Sequence, residues 1–548
     1  MVKIRILFTL IFALIFHLSS GQGKYAVHYK YKPQEQFTLE DGSGFLTAKS
    51  LERRVKQSIP LDSLDLPISK KYEALVLENS MELIYNTKWM NASLVIANQD
   101  QIDVISSFDF VEKVEFVSPV FNVGGRIIRR DKRANIQNLK LKNKSTKSNS
   151  EVYDFQNSLL GIQQMHEEGF TGRGVTIAVF DGGFLGVDKL DGFNHLFENN
   201  QILATKDFID FTNTDVYTRN QHGTNVLSLI GANMPELLVS GAPDADFILC
   251  ITEDVLSEYR IEEYNWVKAA EFADSLGVDI INSSLGYIDF DDPRMDYFAE
   301  DLDGSTAVIS QGASIAGQKG VLVVNSVGNY GGRGERSITA PADAKGILSI
   351  GAVDINLQRA SFSSQGPNAL DKLKPELVTY GNGVFLIRSS GAVNPANGTS
   401  FSAPQITALA AGLWQAKPEW TKNQLIDALL KSGSQAKNPD NELGYGIPDF
   451  VRAYYGEVLS VEENAEVEDW KIYPNPNEGQ ELFVDFGQSN QVAIRLFDVS
   501  GALIIDREIS RDSNKNPFSL NLPNLVKGIY LLELQSGKNV KRTKLIKK

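Results

Sequence analysis

The chain has 548 residues, of which 42% are hydrophobic and 22% are charged, as in a globular protein large enough for several domains. Its 68 acidic residues outnumber the 54 basic ones, and the formal net charge of −14 disfavours a general nucleic-acid binder. The single cysteine, Cys250, excludes an internal disulfide, and its neighbours in DADFILCIT predict an inert thiol in a buried strand.

The first 21 residues have the pattern of an export signal. Lys3 and Arg5 precede the apolar run ILFTLIFALIF, and the small residues Ser19, Ser20 and Gly21 follow it. The run is too short for a membrane span, and no later segment has about 18 consecutive apolar residues. We therefore expect cleavage after Gly21 and an exported, soluble mature protein without a membrane span.

Residues 22–125 predict a small α+β domain. The alternation in YAVHYKYK and SLVIA is typical of strands, whereas FLTAKSLERRVKQSI and DQIDVISSF have the period of amphipathic helices. A linker at 126–154 follows, and its stretch from 126 to 147 contains nine Lys or Arg residues and one Asp. Such a run is typical of a solvated linker that proteases can reach, so we expect a processing site there.

Residues 155–456 predict an α/β domain. Apolar segments such as VTIAVF, ADFILCIT, VDIINSS and GVLVVNS alternate with helical segments such as HGTNVLSLIGA and IEEYNWVKAAEFADSLG. Strands that are apolar almost throughout predict a doubly wound, largely parallel sheet with helices on both faces. The chemistry of such a sheet usually lies at the carboxyl ends of its strands.

The last 92 residues, 457–548, predict a linker followed by a small β module. Residues 457–469 are acidic and lack a core-forming pattern, whereas residues 470–548 alternate in ELFVDF, VAIRLFDVSGALIIDREI and GIYLLELQSGKNVKRTKLI. Turns are predicted at Asp498–Gly501 and Gln535–Gly537, which favours an all-β sandwich. The residues alone leave open a carbohydrate-binding or protein-binding role for it.

Three segments of the α/β domain contain groups suited to nucleophilic catalysis. VTIAVFDGGF ends an apolar strand at Asp181, His222 precedes a helix of small residues, and Ser400 starts a predicted buried helix at 400–416. A serine hydroxyl needs an adjacent base, and that base needs an orienting partner. The unpaired N–H groups of a helix N-terminus can also hold a developing oxyanion. We interpret Ser400 as the nucleophile, His222 as the base and Asp181 as its partner.

Each of these residues alone has a simpler interpretation. Asp181 and Asn329 are residue types common in turns, and Ser400 could cap an ordinary core helix. Asn329 follows a predicted strand in VVNSVGN, where its amide could donate to an oxyanion beside the Ser400 N–H. The remaining histidines lack a small-residue helix and are interpreted as signal, structural or surface residues: His17, His28, His166 and His195.

Taken together, DGG, HGT, NSSLG, VGN and GTSFSAP resemble the motifs of the subtilisin-like serine peptidases, the S8 family, and they follow that family's order. The resemblance implies a secreted endopeptidase that cuts extended protein substrates with no required cofactor. It implies the triad Asp181, His222 and Ser400, with Asn329 as oxyanion donor.

The same resemblance implies a site for the substrate backbone and a pocket for one side chain. The peptide would pair with a strand of the protein, an interaction that ignores most side chains. The implied strand residues are Ser284, Leu285 and Gly286. The implied pocket residues, for the side chain before the scissile bond, are Val327 and Gly328, with Thr339 on the floor.

The sequence departs from the family pattern at two positions, and it carries an acidic insert. Gly182 stands where Ser or Thr usually follows the aspartate, and Asn225 stands where a second histidine is common. The insert YIDFDDPRMDYFAEDLDGS offers oxygen ligands for calcium, but its spacing fits no ligand loop, so we favour a solvated loop and predict no metal site. Its carboxylates considered for calcium are Asp291, Asp292, Asp296, Asp301 and Asp303.

The flanking domains resemble other parts of exported peptidases. The first domain would be a propeptide that assists folding and inhibits the enzyme. The tail, with YPNP at 473–476, GIYLLEL at 528–534 and a final KLIKK, resembles the C-terminal sorting domain of the type IX secretion system. That resemblance implies a Gram-negative bacterium, passage through the periplasm to the cell surface or medium, and the secretion machinery as a partner.

Two rival functions remain. An esterase or lipase of the α/β-hydrolase type usually needs the motif G-x-S-x-G, which the chain lacks. A non-catalytic surface adhesin would be favoured by degenerate triad positions, whereas all three are intact.

Overall fold

The computed structural model describes residues 22–120, 155–456 and 470–548, apart from residues 35, 236, 487–490, 499–501, 511–516 and 538. The predicted signal at 1–21 and the predicted linkers at 126–154 and 457–469 lie outside the described residues. Internal contacts divide the chain into two compact units, with the boundary after Tyr454. No helix among the described residues is both long enough and apolar enough to cross a bilayer.

The N-terminal domain has a four-stranded antiparallel sheet in the order β2-β3-β1-β4. The two predicted strands and two predicted helices are present, but the sequence patterns did not reveal α2, β2 or β4. In β2 and β4 partly buried and exposed residues are mixed, so no clear period of two marks either strand. The elements are β1 (Gly23–Tyr29), α1 (Ala48–Lys56), α2 (Lys70–Glu78), β2 (Glu82–Thr87), β3 (Ala92–Ala97), α3 (Gln99–Ser106) and β4 (Val111–Pro119).

The α/β domain is built on a seven-stranded parallel sheet in the order β13-β12-β11-β10-β5-β9-β6. Its helices and strands, in chain order, are α4 (Ile162–Glu167), β5 (Thr176–Asp181), α5 (Asn194–Glu198), β6 (Ile202–Asp207), α6 (His222–Gly231), β7 (Asn233–Met234), β8 (Leu238–Val239), β9 (Asp246–Ile251), α7 (Ile261–Leu276), β10 (Ile280–Ser283), α8 (Val308–Gln318), β11 (Leu322–Ser326), β12 (Leu348–Val353), β13 (Leu377–Tyr380), β14 (Asn382–Ile387), β15 (Val393–Asn397), α9 (Ala403–Ala416), α10 (Lys422–Lys431) and α11 (Phe450–Tyr455).

Helices cover both faces of this sheet, as β5 shows. Ile177 and Val179 belong to one hydrophobic core, together with residues of α6 and α9. Ala178 and Phe180 belong to a second core, together with residues of α7 and α8. Since successive side chains of a strand point to opposite faces, both faces of β5 are apolar. The predicted doubly wound sheet is therefore confirmed.

The C-terminal unit is a small sandwich of two antiparallel sheets around one hydrophobic core. One sheet has the order β16-β17-β20 and the other the order β19-β18-β21-β22. The predicted turns join β18 to β19 and β21 to β22, although residues 499–501 and 538 lie outside the described part. The strands are β16 (Trp470–Tyr473), β17 (Glu481–Phe486), β18 (Gln491–Phe497), β19 (Leu503–Ser510), β20 (Phe518–Asn521), β21 (Gly528–Ser536) and β22 (Asn539–Lys547).

The N-terminal domain packs against α7 and α8 and shares a core with them. Its residues Ala26, Tyr85 and Trp89 belong to the same hydrophobic cluster as α7. Arg53 and Arg54 of α1 form ion pairs with a buried aspartate of α7, and a second network joins the domain to Lys319 after α8. The partners across the contact are Arg53 and Arg54 with Asp274, and Asp62 and Asp65 with Lys319.

Candidate active site

The carboxyl ends of the parallel strands meet at one edge of the sheet, and the predicted functional residues lie there. Strand β5 ends at Asp181, β10 is followed directly by Ser284, and β11 is followed by Val327, Gly328 and Asn329. Because all of these strands run in the same direction, their last residues share that edge. The sheet thereby brings together groups from segments far apart in the sequence.

Asp181 and His222 form a hydrogen-bonded pair. The His222 Nδ1 lies 2.9 Å from each carboxylate oxygen of Asp181, and the Asp181 side chain is fully buried. A carboxylate only accepts, so Nδ1 carries the proton and Nε2 is left as the basic nitrogen. The Gly182 N–H also donates to Asp181 Oδ1 at 2.7 Å, and the His222 N–H donates to Asn220 Oδ1 at 2.7 Å. These bonds fix the imidazole in one tautomer and one place.

Ser400 lies in a short 3₁₀ turn, Thr399–Phe401, which precedes α9. The predicted helix start at residue 400 was wrong, since α9 begins at Ala403. Gly398, just before the turn, has a φ of 152°, which residues with a side chain rarely adopt. The ring of Phe401 lies 5.7 Å from the ring of His222, so the turn is beside this imidazole.

Two hydrogen bonds join Ser400 to the strand extension after β10. The Ser284 hydroxyl donates to the Ser400 carbonyl at 2.9 Å, and the Ser400 hydroxyl donates to the Ser284 carbonyl at 3.2 Å. Both residues are buried. Sequence reasoning had assigned Ser284 only to the substrate strand, and its contact with the turn of Ser400 was missed because 116 positions separate the two residues.

Asn329 is oriented by Thr399, a contact that sequence reasoning did not predict. The Thr399 N–H and hydroxyl both donate to Asn329 Oδ1 at 3.0 Å. Because a backbone N–H can only donate, the facing atom must be the carboxamide oxygen, and the Asn329 NH₂ group points away from Thr399. Thr399 itself is fully buried and adjoins Ser400. An amide donor is thus held next to the turn that contains Ser400.

The other predicted substrate residues surround one threonine. The side chain of Val327 belongs to the hydrophobic core, so only its backbone can line a pocket. Leu285 is buried as well, and its carbonyl accepts a bond from Asn325 Nδ2 at 3.1 Å. A side chain added at Gly286 or at Gly328 would collide with Thr339, which therefore lies between these two backbone segments.

The two departures from the family pattern have structural consequences. A Cβ at position 182 would lie 2.8 Å from Val255 Cγ1, so a serine there would require Val255 to shift. The Asp181 carboxylate accepts the Gly182 backbone N–H. Asn225 is buried in α6, and its Oδ1 has no hydrogen-bond partner within the described ranges.

The acidic insert after the substrate strand is not the solvated loop that we expected. Its apolar side chains Phe290, Met295, Tyr297 and Leu302 are buried in the second core. Of the five carboxylates considered for calcium, Asp292 pairs with Arg294, while the other four accept backbone N–H groups. The described part of the chain contains no group of three or more His, Cys, Asp or Glu residues placed to hold a metal ion.

The other candidate residues named from the sequence lie away from this edge or in structural roles. His28 bonds to the Tyr264 hydroxyl at 2.9 Å across the domain contact. His166 and His195 bond to backbone carbonyls at 3.0 and 3.2 Å. Burial lowers the pKa of His195 and raises the pKa of the Cys250 thiol, as expected for core groups. His17 lies outside the described residues.

Models of three families match the chain. The model described as "Subtilase family" matches residues 172–446, and the one described as "Peptidase S8 propeptide domain, Bacteroidota" matches residues 24–137. The model described as "Secretion system C-terminal sorting domain" matches residues 471–548. The three matches thus cover most of the chain between the predicted signal and the C-terminus.

Two individual relatives are each less than 30% identical to the chain over the aligned residues. Subtilisin E of Bacillus subtilis (strain 168) is 29% identical over 279 residues, which are 50% of this chain and 64% of that protein. Subtilisin-like protease SBT6.1 of Arabidopsis thaliana is 24% identical over 316 residues, which are 54% of this chain and 27% of that protein. The aligned part therefore spans less than two thirds of either relative. Among solved structures, MycP1 from Mycobacterium smegmatis is 24% identical with a TM-score of 0.43, covering 55% of this chain and 84% of that chain.

Proposed function

Because the chain belongs to the subtilase family of serine peptidases, we propose that it is a secreted endopeptidase that hydrolyses peptide bonds in extended protein substrates. The observation that carries this proposal is the buried Asp181 carboxylate bonded to His222 Nδ1, beside the turn that holds Ser400. A buried acid, an oriented imidazole and an adjacent serine are the parts that acyl transfer by serine needs.

In the proposed reaction, His222 Nε2 accepts the Ser400 hydroxyl proton while Oγ attacks the substrate carbonyl carbon. This step requires the hydroxyl to turn away from the Ser284 carbonyl, at the cost of one hydrogen bond of about 0.5–1.5 kcal/mol. The imidazolium then gives the proton to the leaving amine, and Asp181 stabilises its positive charge throughout. A water molecule then attacks the acyl-enzyme, with His222 again accepting and returning the proton, so that the acyl group leaves as an acid and the Ser400 hydroxyl is restored.

The oxyanion of each tetrahedral intermediate would be held by the Asn329 NH₂ group and the Ser400 N–H. The orientation of Asn329 by Thr399 supports this role, because a donor fixed in advance loses little entropy when charge develops. The substrate backbone would pair with the Ser284–Gly286 segment, and Val327, Gly328 and Thr339 would border the pocket for the residue before the cut. The proposed mechanism needs no cofactor.

The flanking domains fit a zymogen that is exported and then processed. We propose that residues 22–125 act as a propeptide that assists folding and inhibits the enzyme, and that the linker at 126–154 is cut. The match of the tail to a secretion sorting domain supports export by the type IX machinery, through the periplasm to the surface or the medium. Substrates, propeptide and secretion machinery are then the three partners.

The decisive experiment compares processed wild-type protein with Ser400→Ala and Ser402→Ala variants. Ser402 is a matched control because it is buried two residues away and its hydroxyl bonds to the Thr379 and Tyr380 carbonyls. We expect wild-type and Ser402→Ala protein to digest casein and to react with a fluorophosphonate probe, and Ser400→Ala to do neither. Equal activity of all three would refute the proposal, and lack of any labelling would favour the adhesin.

A further inference from the structure

The pocket proposed for the side chain before the scissile bond has two walls made of backbone. One wall is Ser284–Gly286 and the other is Val327–Asn329. Both walls carry a glycine, and the missing side chains of Gly286 and Gly328 both point at the same residue, Thr339. The size of any substrate side chain therefore depends on how much of this space Thr339 already fills.

The distances show that Thr339 is in contact with both walls. A Cβ at Gly286 would lie 2.1 Å from Thr339 Oγ1 and 3.0 Å from Thr339 Cβ. A Cβ at Gly328 would lie 2.9 Å from Thr339 Cγ2 and 3.0 Å from Thr339 Oγ1. Carbon atoms that are not bonded pack at about 3.5–4.0 Å, so not even a methyl group fits between Thr339 and either wall.

Thr339 is also held in place. Its N–H donates to the Val327 carbonyl at 3.2 Å, and its neighbour Ala340 exchanges two backbone bonds with Tyr287, at 2.8 and 3.0 Å. The side chain is buried, and a β-branched residue has few alternative rotamers. A large substrate side chain therefore could not displace it without moving a well-packed part of the domain.

We propose that Thr339 closes the bottom of this pocket and restricts the residue before the cut to a small one: glycine, alanine or serine. The inference rests on the proposed peptidase function, and it names the class of bond that this site cleaves. Thr339 acts by volume, since its methyl and hydroxyl groups occupy the space that a longer side chain would need.

The test is a set of peptides that differ only in the residue before the cut: Gly, Ala, Ser, Val, Leu or Phe. For processed wild-type enzyme we expect kcat/KM for Ala to exceed that for Leu and Phe at least tenfold. Thr339→Gly removes the side chain that closes the bottom of the pocket, so the ratio of kcat/KM for the Ala peptide to that for the Phe peptide should fall at least tenfold. Thr339→Val keeps the volume and the shape, so it should keep the ratio.

The outcomes separate this inference from the peptidase function itself. Wild-type cleavage after Leu or Phe as fast as after Ala would overturn the inference while leaving the function intact. An unchanged ratio in Thr339→Gly would overturn it as well; if that variant does not fold, Thr339→Ala should give a smaller shift in the same direction. If wild-type enzyme cleaves no peptide above the Ser400→Ala background, the peptidase function fails and the inference fails with it.

Discussion

The attachment of the N-terminal domain depends on a buried ion pair that one substitution would break. The Asp274 carboxylate lies in α7 and accepts bonds from Arg53 and Arg54 of α1, the second at 2.9 Å. The side chains of the two arginines are 4% and 2% exposed and that of Asp274 is 0% exposed. Burial lowers the pKa of Arg53, and the Asp274 charge works against that shift. Asp274→Asn removes this charge while keeping the shape of the side chain.

The expected loss is about 3 kcal/mol in the free energy of detaching and unfolding the N-terminal domain. Removal of one partner of a buried ion pair costs about 3–5 kcal/mol, because the other charge stays buried without compensation. Arg54 keeps Asp65 at 3.1 Å, so we place the loss at the lower end of that range. For a domain of about 100 residues, with an m-value of about 1–2 kcal/mol per molar urea, the urea midpoint should fall by about 1.5–3 M.

The assay is urea unfolding of the full chain in a Ser400→Ala background, which prevents self-digestion. Amide hydrogen exchange in β1, followed by mass spectrometry, reports the N-terminal domain separately from the rest. The control is Asp371→Asn, which breaks the exposed pair with Arg336, since exposed pairs contribute about 0–1 kcal/mol. If Asp274→Asn lowers the midpoint for β1 no more than the control does, the ion pair does not hold the domain.

Three further predictions concern catalysis, pH and maturation. Asn329→Ala should lower kcat about 10²–10³-fold, the loss seen when a subtilisin loses this kind of donor, with a smaller effect on KM in steady-state assays. Burial raises the pKa of Glu115 at the domain contact, but interactions with His28, Tyr264 and Arg260 outweigh that effect and lower the pKa to about 2. Since the folded-state pKa of Glu115 is depressed, the stabilisation that this carboxylate provides is present above about pH 4.5 and is lost as the pH falls towards 2. Size-exclusion chromatography of protein with a cut linker should show the N-terminal domain released over that range. The release should depend less steeply on pH in Glu115→Gln. N-terminal sequencing of the secreted protein should give a new N-terminus within 126–154. A start near Gln22 would contradict the proposal that the linker is cut.

The sequence predicted the sheet, and the edge at which the candidate site residues lie, because local pattern and chemistry agree there. Every residue of strand β5 is buried, and the four from Ile177 to Phe180 are apolar, as expected for a strand covered on both faces. Motifs that follow such strands fall at one edge by the geometry of parallel strands alone, which is why Asp181, Ser284 and Asn329 could be placed together. The order of the strands was not predicted, because no local pattern records which strand lies beside which.

The sequence was least informative where buried polar groups find partners far away along the chain. Arg53 and Arg54 belong to a segment that reads as an amphipathic helix, and nothing local marks them as buried. Their partner Asp274 is 221 and 220 positions away, respectively. The contact of Thr399 with Asn329 was missed for the same reason, since Asn329 lies 70 positions earlier. Burial of such groups follows from tertiary contacts, which a one-dimensional pattern does not contain.

These contacts also bear on how the zymogen would be activated. Tyr85, Trp89 and Leu94 of the N-terminal domain are packed in one core with α7, and Asp274 of α7 is paired with Arg53 of α1. A cut in the linker removes the covalent tether, and with it the high effective concentration of the domain, but it breaks none of these contacts. Cleavage alone should therefore leave a non-covalent complex, and the strength of the buried contacts determines how long the N-terminal domain stays bound.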